Sequence, residues 1–396
     1  MKDERRKWAI NGDFVALKPT GVARYAREVT LALDALVAAG HPLLQGVDLE
    51  LLAPRQPQDL PLRRIPVRVI EEFDRPRLPQ VWVQLQLPRH VEGGLLSFCN
   101  LAPVLCRHHI ACIHDLHTII MPESYGRLFR LVHRVILPLV GHRAAAVTTV
   151  SQLSADQLRH HRIVPAHKVH VTYNGSDHAL RWRADRARLD LDRGRPFVFC
   201  LGRSQKYKNA ELLWKLAPAL DELGIDILVG GDIDGATAAS YAPKPPPNLH
   251  LLGRISDDDF AAALGKAVCL LFPSRIEGFG LPAAEAMVLG CPVVASTSPC
   301  LPEICGDAAL YADPDDVEAW AAAVRRLRDE PRLRRDLIAR GLERAKRYSW
   351  RAIAERYLEL MARVDCRSPE LAGRRSTAPL PAELETTNAW RLRTRS

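Results

Sequence analysis

Glu277 and Glu285 flank a turn that carries two glycines, in the run Ser274-Arg275-Ile276-Glu277-Gly278-Phe279-Gly280-Leu281-Pro282-Ala283-Ala284-Glu285-Ala286. Carboxylates so placed can accept hydrogen bonds from substrate hydroxyls or exchange protons with a substrate. The apolar run 268–272 before them reads as a buried strand, and 291–295 as the next one. A helix begins near Pro282, because proline suits a first helical turn. Such a strand–loop–helix junction aims unpaired backbone N–H groups and the positive end of a helix dipole at one spot. Gly278 and Gly280 let the backbone approach a ligand closely. Glu285, about one turn into the helix, faces the same cleft as Glu277. The arrangement suits an anionic, hydroxyl-rich ligand such as a nucleotide sugar. The plain alternative is an ordinary glycine-containing loop of an α/β domain.

Each part of a nucleotide sugar calls for different groups. A diphosphate needs cations and N–H donors, and Arg203 and Lys208 lie just past an apolar strand, 197–201, where they could clamp it. They read equally as solvated loop charges. Vicinal ribose hydroxyls suit a bidentate carboxylate, which Glu285 offers, and Glu277 fits a hexose. Glu277 and Glu285 could instead be an acid/base pair of the glycoside-hydrolase kind. His114 follows the short strand 110–113, and ligands of open α/β sheets bind beyond such strand ends. Gly21 opens a helix after the first strand and marks a second anion or sugar site. Asp232-Ile233-Asp234 spells a metal–nucleotide signature but follows Gly230-Gly231 as a loop. Asp257-Asp258-Asp259 after Ser256 reads as acids at a helix N-terminus.

The elements that must hold these residues follow an α/β rhythm over 396 residues, enough for two domains. Residues 8–17 read as a partly polar first strand, and 22–36 as a helix. Strands follow at 49–53, 65–70, 95–98, 110–113, 146–150 and 168–172, with a short helix at 78–87. An Arg- and Asp-rich linker spans 185–194. The second half repeats the pattern from 197 onward. The division is 1–180, 195–346, a helix at 347–365, and a tail at 366–396. From 367 on, six arginines against three glutamates read as disorder. Residues 127–143 form a basic amphipathic helix with Leu128, Leu131, Val135 and Leu139 on one stripe. It reads as a membrane-surface helix or, more plainly, as a helix packed on the sheet with solvated arginines. Pro138 should kink or break it.

Lys and Arg exceed Asp and Glu by 55 to 46, a net charge of +9. That excess fits a phosphorylated substrate or an anionic membrane. No zinc-finger spacing, aromatic RNP-type strand or long basic block points to nucleic acid. The nine cysteines include no C-x-x-C pair and read as small buried residues in a reducing compartment. The charged N-terminus leads into no signal-type segment, and no run of about 18 apolar residues occurs. The expectation is a cytoplasmic protein, peripheral on the inner face of the plasma membrane.

Taken together, the motifs resemble the retaining glycosyltransferases of family 4. The strongest match is Glu277 to Glu285, which is similar to the family's E-x7-E motif, followed by Gly290 and Pro292-Val293-Val294-Ala295-Ser296. In the same order stand Thr20-Gly21-Val22 with Arg24-Tyr25, Ile113-His114-Asp115-Leu116, Val150-Ser151, Asn174-Gly175, Gly202-Arg203 with Lys208-Asn209, and Gly253-Arg254-Ile255-Ser256.

The resemblance implies a GT-B fold: two Rossmann-like domains facing a cleft, with a C-terminal helix crossing back onto the first. It implies that Arg203 and Lys208 bind the donor diphosphate and that the N–H groups of Phe279, Gly280 and Leu281 help. Glu277 would contact the transferred sugar and Glu285 the ribose. Gly21 would approach the donor, and His114 would line the reaction centre on the acceptor side. No metal or cofactor is expected beyond the nucleotide-diphosphate sugar, and the acceptor would be a glycan or polyprenyl-diphosphate-linked glycan. The T-G-V-x-R-Y turn resembles bacterial O-antigen and exopolysaccharide enzymes, which makes GDP-mannose the first expectation for the donor. Many family members carry a Gly-Gly pair where this chain has Pro19-Thr20-Gly21. Alternatives are a GT-B enzyme of other chemistry, such as a sugar-nucleotide epimerase, and a non-catalytic nucleotide- or glycan-binding scaffold.

Overall fold

The computed structural model describes residues 6–17, 20–71, 81–100 and 102–365. The tail expected at 366–396 and part of the helix expected at 78–87 lie outside these residues.

Short apolar runs bounded by polar residues build two wholly parallel sheets. The first holds β1 (Arg6–Asn11), β2 (Val47–Ala53), β3 (Val67–Val69), β4 (Gly94–Ser97), β5 (His109–Cys112), β6 (Ala146–Thr149) and β7 (Val169–Val171), in the order β3-β2-β1-β4-β5-β6-β7. The second holds β8 (Phe197–Leu201), β9 (Asp226–Gly230), β10 (Leu249–Gly253), β11 (Leu270–Phe272), β12 (Val293–Ser296) and β13 (Ala309–Ala312), in the order β10-β9-β8-β11-β12-β13. Most of these strands are buried along their length, as strands covered by helices on both faces are. Registers such as Trp8 opposite Leu49 and Gly94, or Leu270 opposite Val293 and Phe199, are parallel throughout. This is the two-Rossmann architecture of the GT-B fold.

Each sheet reverses its strand order once, between β1 and β4 in the first and between β8 and β11 in the second. Crevices open outside the carboxyl ends of strands at such switch points. Gly12, Asn100 and His114 therefore stand at the first, and Arg203 and residues 273–280 at the second.

The first strand is shorter than the sequence suggests. It stops at Asn11, whose side-chain oxygen accepts the N–H of Asp13 at 3.2 Å, and a helical turn covers Asp13–Ala16. Such an Asx-type bond offers the backbone an alternative to the ladder. Residues 82–86 form a helical turn, so the described part of the 78–87 segment is helical.

The helix Arg127–Arg143 runs unbroken through Pro138. It also rests on a different face from the one expected to pack. His133, Leu137, Val140 and Gly141 are buried, while Leu128, Leu131, Val135 and Leu139 are exposed. An added Cβ on Gly141 would lie 2.2 Å from the Ile163 carbonyl oxygen, so the lack of a side chain there sets which face can pack.

The last described helix, Trp350–Val364, returns to the first domain and packs on the helix Gly21–Ala38. The Tyr357 hydroxyl sits 2.9 Å from that of Tyr25 and 2.7 Å from Thr148 Oγ1. Beyond its end, Asp365 accepts Trp8 Nε1 at 3.1 Å and His108 Nε2 at 2.7 Å, and it pairs with Arg6.

Candidate active site

The loop after β11 is shaped by its two glycines for different reasons. Gly280 takes a left-handed φ of +91° as it caps the helix Leu281–Val288, whose second position is Pro282. A residue with a Cβ is strained there, and its Cβ would lie 2.7 Å from Leu301. Gly278 faces the other domain: an added Cβ would sit 3.2 Å from the His114 carbonyl oxygen and 3.4 Å from Asp115. The close approach at Gly278 is thus to the first domain's backbone. The N–H groups of Phe279, Gly280 and Leu281 find no acceptor among the described residues, although all three residues are buried. Buried backbone donors are almost always paired, so three together at a helix N-terminus form a place for an anion.

The loop after β8 is stitched to this one. Asn209, itself left-handed at φ +54°, donates from Nδ2 to the carbonyls of Pro273 at 3.2 Å and Pro314 at 2.8 Å. Arg275 N–H donates to the Tyr207 carbonyl at 2.7 Å. These bonds fix Lys208, whose Nζ donates to Glu277 Oε1 at 2.6 Å. The side chains assigned to the diphosphate and to the hexose therefore touch. Arg203 is exposed and makes no hydrogen bond or ion pair among the described residues.

Glu285 is buried and held separately. Its Oε1 accepts His178 Nε2 at 2.8 Å, and Arg24 Nε stands at 3.9 Å. His178 Nδ1 in turn accepts Trp350 Nε1–H at 2.9 Å. An indole only donates, so Nδ1 must be unprotonated and Nε2 carries the proton. Glu277 and Glu285 thus have distinct partners on distinct elements. Gly21 lies one turn before Arg24 at the start of its helix, exposed, and a Cβ added there meets nothing within 4 Å. Thr20 caps that helix by accepting the Ala23 N–H at 3.3 Å.

His114 is buried at the end of β5. Its N–H donates to Asn100 Oδ1 and its Nε2 lies against the Phe98 carbonyl, each at 2.8 Å. Tyr25 meets its ring edge-on at 4.8 Å. Burial opposes charging the imidazole, but the Cys112 sulfur and the Phe98 carbonyl favour it, and the net shift is upward. Beside it, His117 and Tyr207 bring their rings within 5.2 Å across the cleft. Burial, with the nearby Glu277 and Asp115 carboxylates, pushes the Tyr207 phenol up to about 12.

Other acids are engaged structurally. Asp232 pairs with Arg254 at 2.7 Å, and Asp234 caps the helix Gly235–Tyr241. Asp259 closes a capping box with Ser256, Asp257 pairs with Arg24, and Asp258 accepts the Arg183 N–H.

The sequence did not single out His178 or Glu303. Glu303 crosses the cleft to accept the N–H groups of Gln152 at 2.6 Å and Leu153 at 3.1 Å, at the start of the helix Gln152–His160. Neither residue carries a local pattern. Arg24 was visible as a motif member without a role. Asn174-Gly175 gains one: a Cβ on Gly175 would lie 2.6 Å from the Trp350 indole.

The chain as a whole is similar to known proteins. A family model described as glycosyltransferase family 4 matches residues 19–180, and one described as glycosyl transferases group 1 matches residues 183–344. The O-antigen chain mannosyltransferase B of Escherichia coli is 43% identical over 102 residues, 26% of this chain and 27% of that protein. The aligned part is therefore about a quarter of that relative's length. The O-antigen chain mannosyltransferase RfbU of Salmonella typhimurium is 26% identical over 65% of this chain and 72% of that protein. Among solved structures, a sucrose-phosphate synthase from Thermosynechococcus elongatus superposes with a TM-score of 0.68 at 19% identity, covering 92% of this chain and all of that one. Two family models that together span most of the chain, over two facing Rossmann-like domains, show that it belongs to family 4 of the GT-B glycosyltransferases.

Proposed function

We propose that the chain is a retaining hexosyltransferase that moves mannose from GDP-mannose to a polyprenyl-diphosphate-linked or other glycan acceptor in cell-surface polysaccharide synthesis. The observation that carries the reading is the row of unpaired N–H groups at Phe279, Gly280 and Leu281 in the same loop as the Lys208–Glu277 pair. There a diphosphate meets backbone donors and the Lys208 ammonium, with Arg203 free to close on it. Glu277 takes a hexose hydroxyl, while Lys208 holds its Oε1. Glu285 takes the ribose hydroxyls through the oxygen that His178 does not occupy. Mannose follows the names of two relatives, both O-antigen chain mannosyltransferases.

In the proposed reaction the acceptor oxygen attacks C1 on the face from which the phosphate leaves. The C1–O bond to the nucleoside diphosphate breaks, the acceptor O–C1 bond forms, and the acceptor's proton passes to the departing phosphate oxygen. His114, backed by Phe98, lines the acceptor side. The charge that develops on the phosphate is met by Lys208, Arg203 and the N–H row rather than by a metal.

A thermal-shift screen of the full chain against GDP-, UDP-, ADP- and dTDP-sugars tests the donor. GDP-mannose should raise Tm most, and no shift with any of the four would sink the reading. Nucleoside diphosphate released only when acceptor is present separates transfer from epimerisation and from mere binding.

A further inference from the structure

We infer that the helix Arg127–Arg143 seats the protein on an anionic lipid bilayer and holds the mouth of the cleft at the membrane surface. This rests on the transferase reading and deepens it, because it names the surface that meets a lipid-linked acceptor.

The helix has three faces. His133, Leu137, Val140 and Gly141 are buried against the first domain. On the opposite face Leu128, Leu131, Val135 and Leu139 are 75%, 60%, 53% and 45% exposed, and Phe129, 48% exposed, lies to one side against His133. The four stripe residues fall within an arc of about 80° at roughly 100° per residue. Five of the eleven large hydrophobic side chains exposed among the described residues sit on this one element. Exposed apolar residues scattered singly are normal, but a contiguous stripe marks a binding surface.

Charge complementarity chooses the partner. Arg127, Arg134 and Arg143 are exposed on the flanks, and the helix contains no Asp or Glu. A basic flank beside an outward apolar stripe is the pattern of a helix lying in the headgroup layer. A second copy docked on the same stripe would bring two basic flanks together, which disfavours it.

The position of the helix adds the functional link. Tyr125, two residues before its start, stacks on Phe129 with ring centroids 5.8 Å apart. Its phenol is held well above the ordinary range, first by burial and then by Tyr207, Asp115 and Glu277. The membrane-facing helix therefore starts at the rim of the donor site. A bilayer seated on it puts the headgroup layer, where the diphosphate of a lipid-linked glycan lies, at the level of the cleft.

The test is co-sedimentation of the full chain with phosphatidylglycerol/phosphatidylcholine vesicles and with phosphatidylcholine vesicles. Two variants accompany it, Leu128→Ser/Leu131→Ser/Val135→Ser and Arg127→Gln/Arg134→Gln/Arg143→Gln. All six side chains are exposed, so both variants should fold, with an unchanged Tm and an unchanged thermal shift on donor. The wild type should bind the anionic vesicles, less so at high salt, and each variant should lose about tenfold or more of that partitioning. Wild type that stays in the supernatant with phosphatidylglycerol vesicles overturns the inference. So do variants that sediment like wild type, and so does a lipid-free dimer that the leucine variant dissociates. A wild type that binds vesicles but no sugar nucleotide would fault the transferase reading instead, so the two failures are distinguishable.

Discussion

His178 Nε2 donates to Glu285 Oε1 at 2.8 Å while Trp350 Nε1 donates to the other nitrogen of the same ring at 2.9 Å. His178 lies on the segment that leaves the first sheet after β7, and Trp350 begins the helix that returns to it. The carboxylate assigned to the ribose is therefore held by both places where the chain passes between domains. Replacing His178 by Ala leaves a buried indole N–H and a buried carboxylate oxygen without their partners. Each unsatisfied group costs about 1–3 kcal/mol. We expect a lower Tm and a donor KM that rises more than kcat falls, read by thermal unfolding and steady-state kinetics. An unchanged donor KM would show that His178 does not position Glu285.

Lys208 and Arg203 should separate in their effects. Lys208→Ala removes the partner of Glu277 and should lower both Tm and kcat/KM. Arg203 is exposed and unpaired, so Arg203→Ala should shift stability by no more than about 0.5 kcal/mol. It should still cost transfer about 2–4 kcal/mol of transition-state stabilisation, as the loss of an oxyanion donor does. Equal kcat/KM in Arg203→Ala and wild type would remove it from the diphosphate clamp.

Asp13 gives a pH dependence. Neither of its buried oxygens has a full hydrogen bond, and burial raises its pKa from 3.8 to about 7, only partly offset by the Phe14 N–H. A carboxyl whose folded pKa lies above its unfolded value favours the unfolded chain once the unfolded group ionises. Stability tied to Asp13 is therefore complete at low pH, declines from about pH 4 to about pH 7, and is flat above. Asp13→Asn should raise stability above pH 7, by up to a few kcal/mol in order of magnitude, with a higher Tm there and a nearly unchanged one near pH 4. A Tm difference that does not vary with pH would contradict this.

Glu303 is one of the side chains that bridge the two domains across the cleft. Glu303→Ala frees the Gln152 and Leu153 N–H groups and removes the two bonds that Glu303 makes across the cleft. The radius of gyration measured by small-angle scattering should increase, and the change should reverse when donor binds. An unchanged scattering profile would show that the closed arrangement does not depend on this contact.

Much of the second half of the site was legible in the sequence because its parts are local. A strand, two glycines, a proline at the helix start and a carboxylate one turn later fix their own geometry, as Gly280 and Pro282 show. The capping box at Ser256 was legible for the same reason. What the sequence could not supply were relationships between distant segments. Gly278 is shaped by the His114 carbonyl, 164 positions earlier in the chain, and His178 matters only because Trp350 and Glu285 converge on it. The stripe on the helix Arg127–Arg143 shows the same limit. Periodicity identified Leu128, Leu131, Val135 and Leu139 as one face. Only the packing of Gly141 on Ile163 shows that this face points outward.

Mannose transfer from GDP-mannose to a lipid-linked acceptor, compared between wild type and Glu277→Gln, tests the central claim most directly. The substitution keeps the side chain's shape and removes the charge that pairs with Lys208. The account predicts a product with retained anomeric configuration from the wild type, and a loss of about a hundredfold or more in kcat for the variant with its fold intact. Wild-type kcat/KM in Glu277→Gln would contradict it.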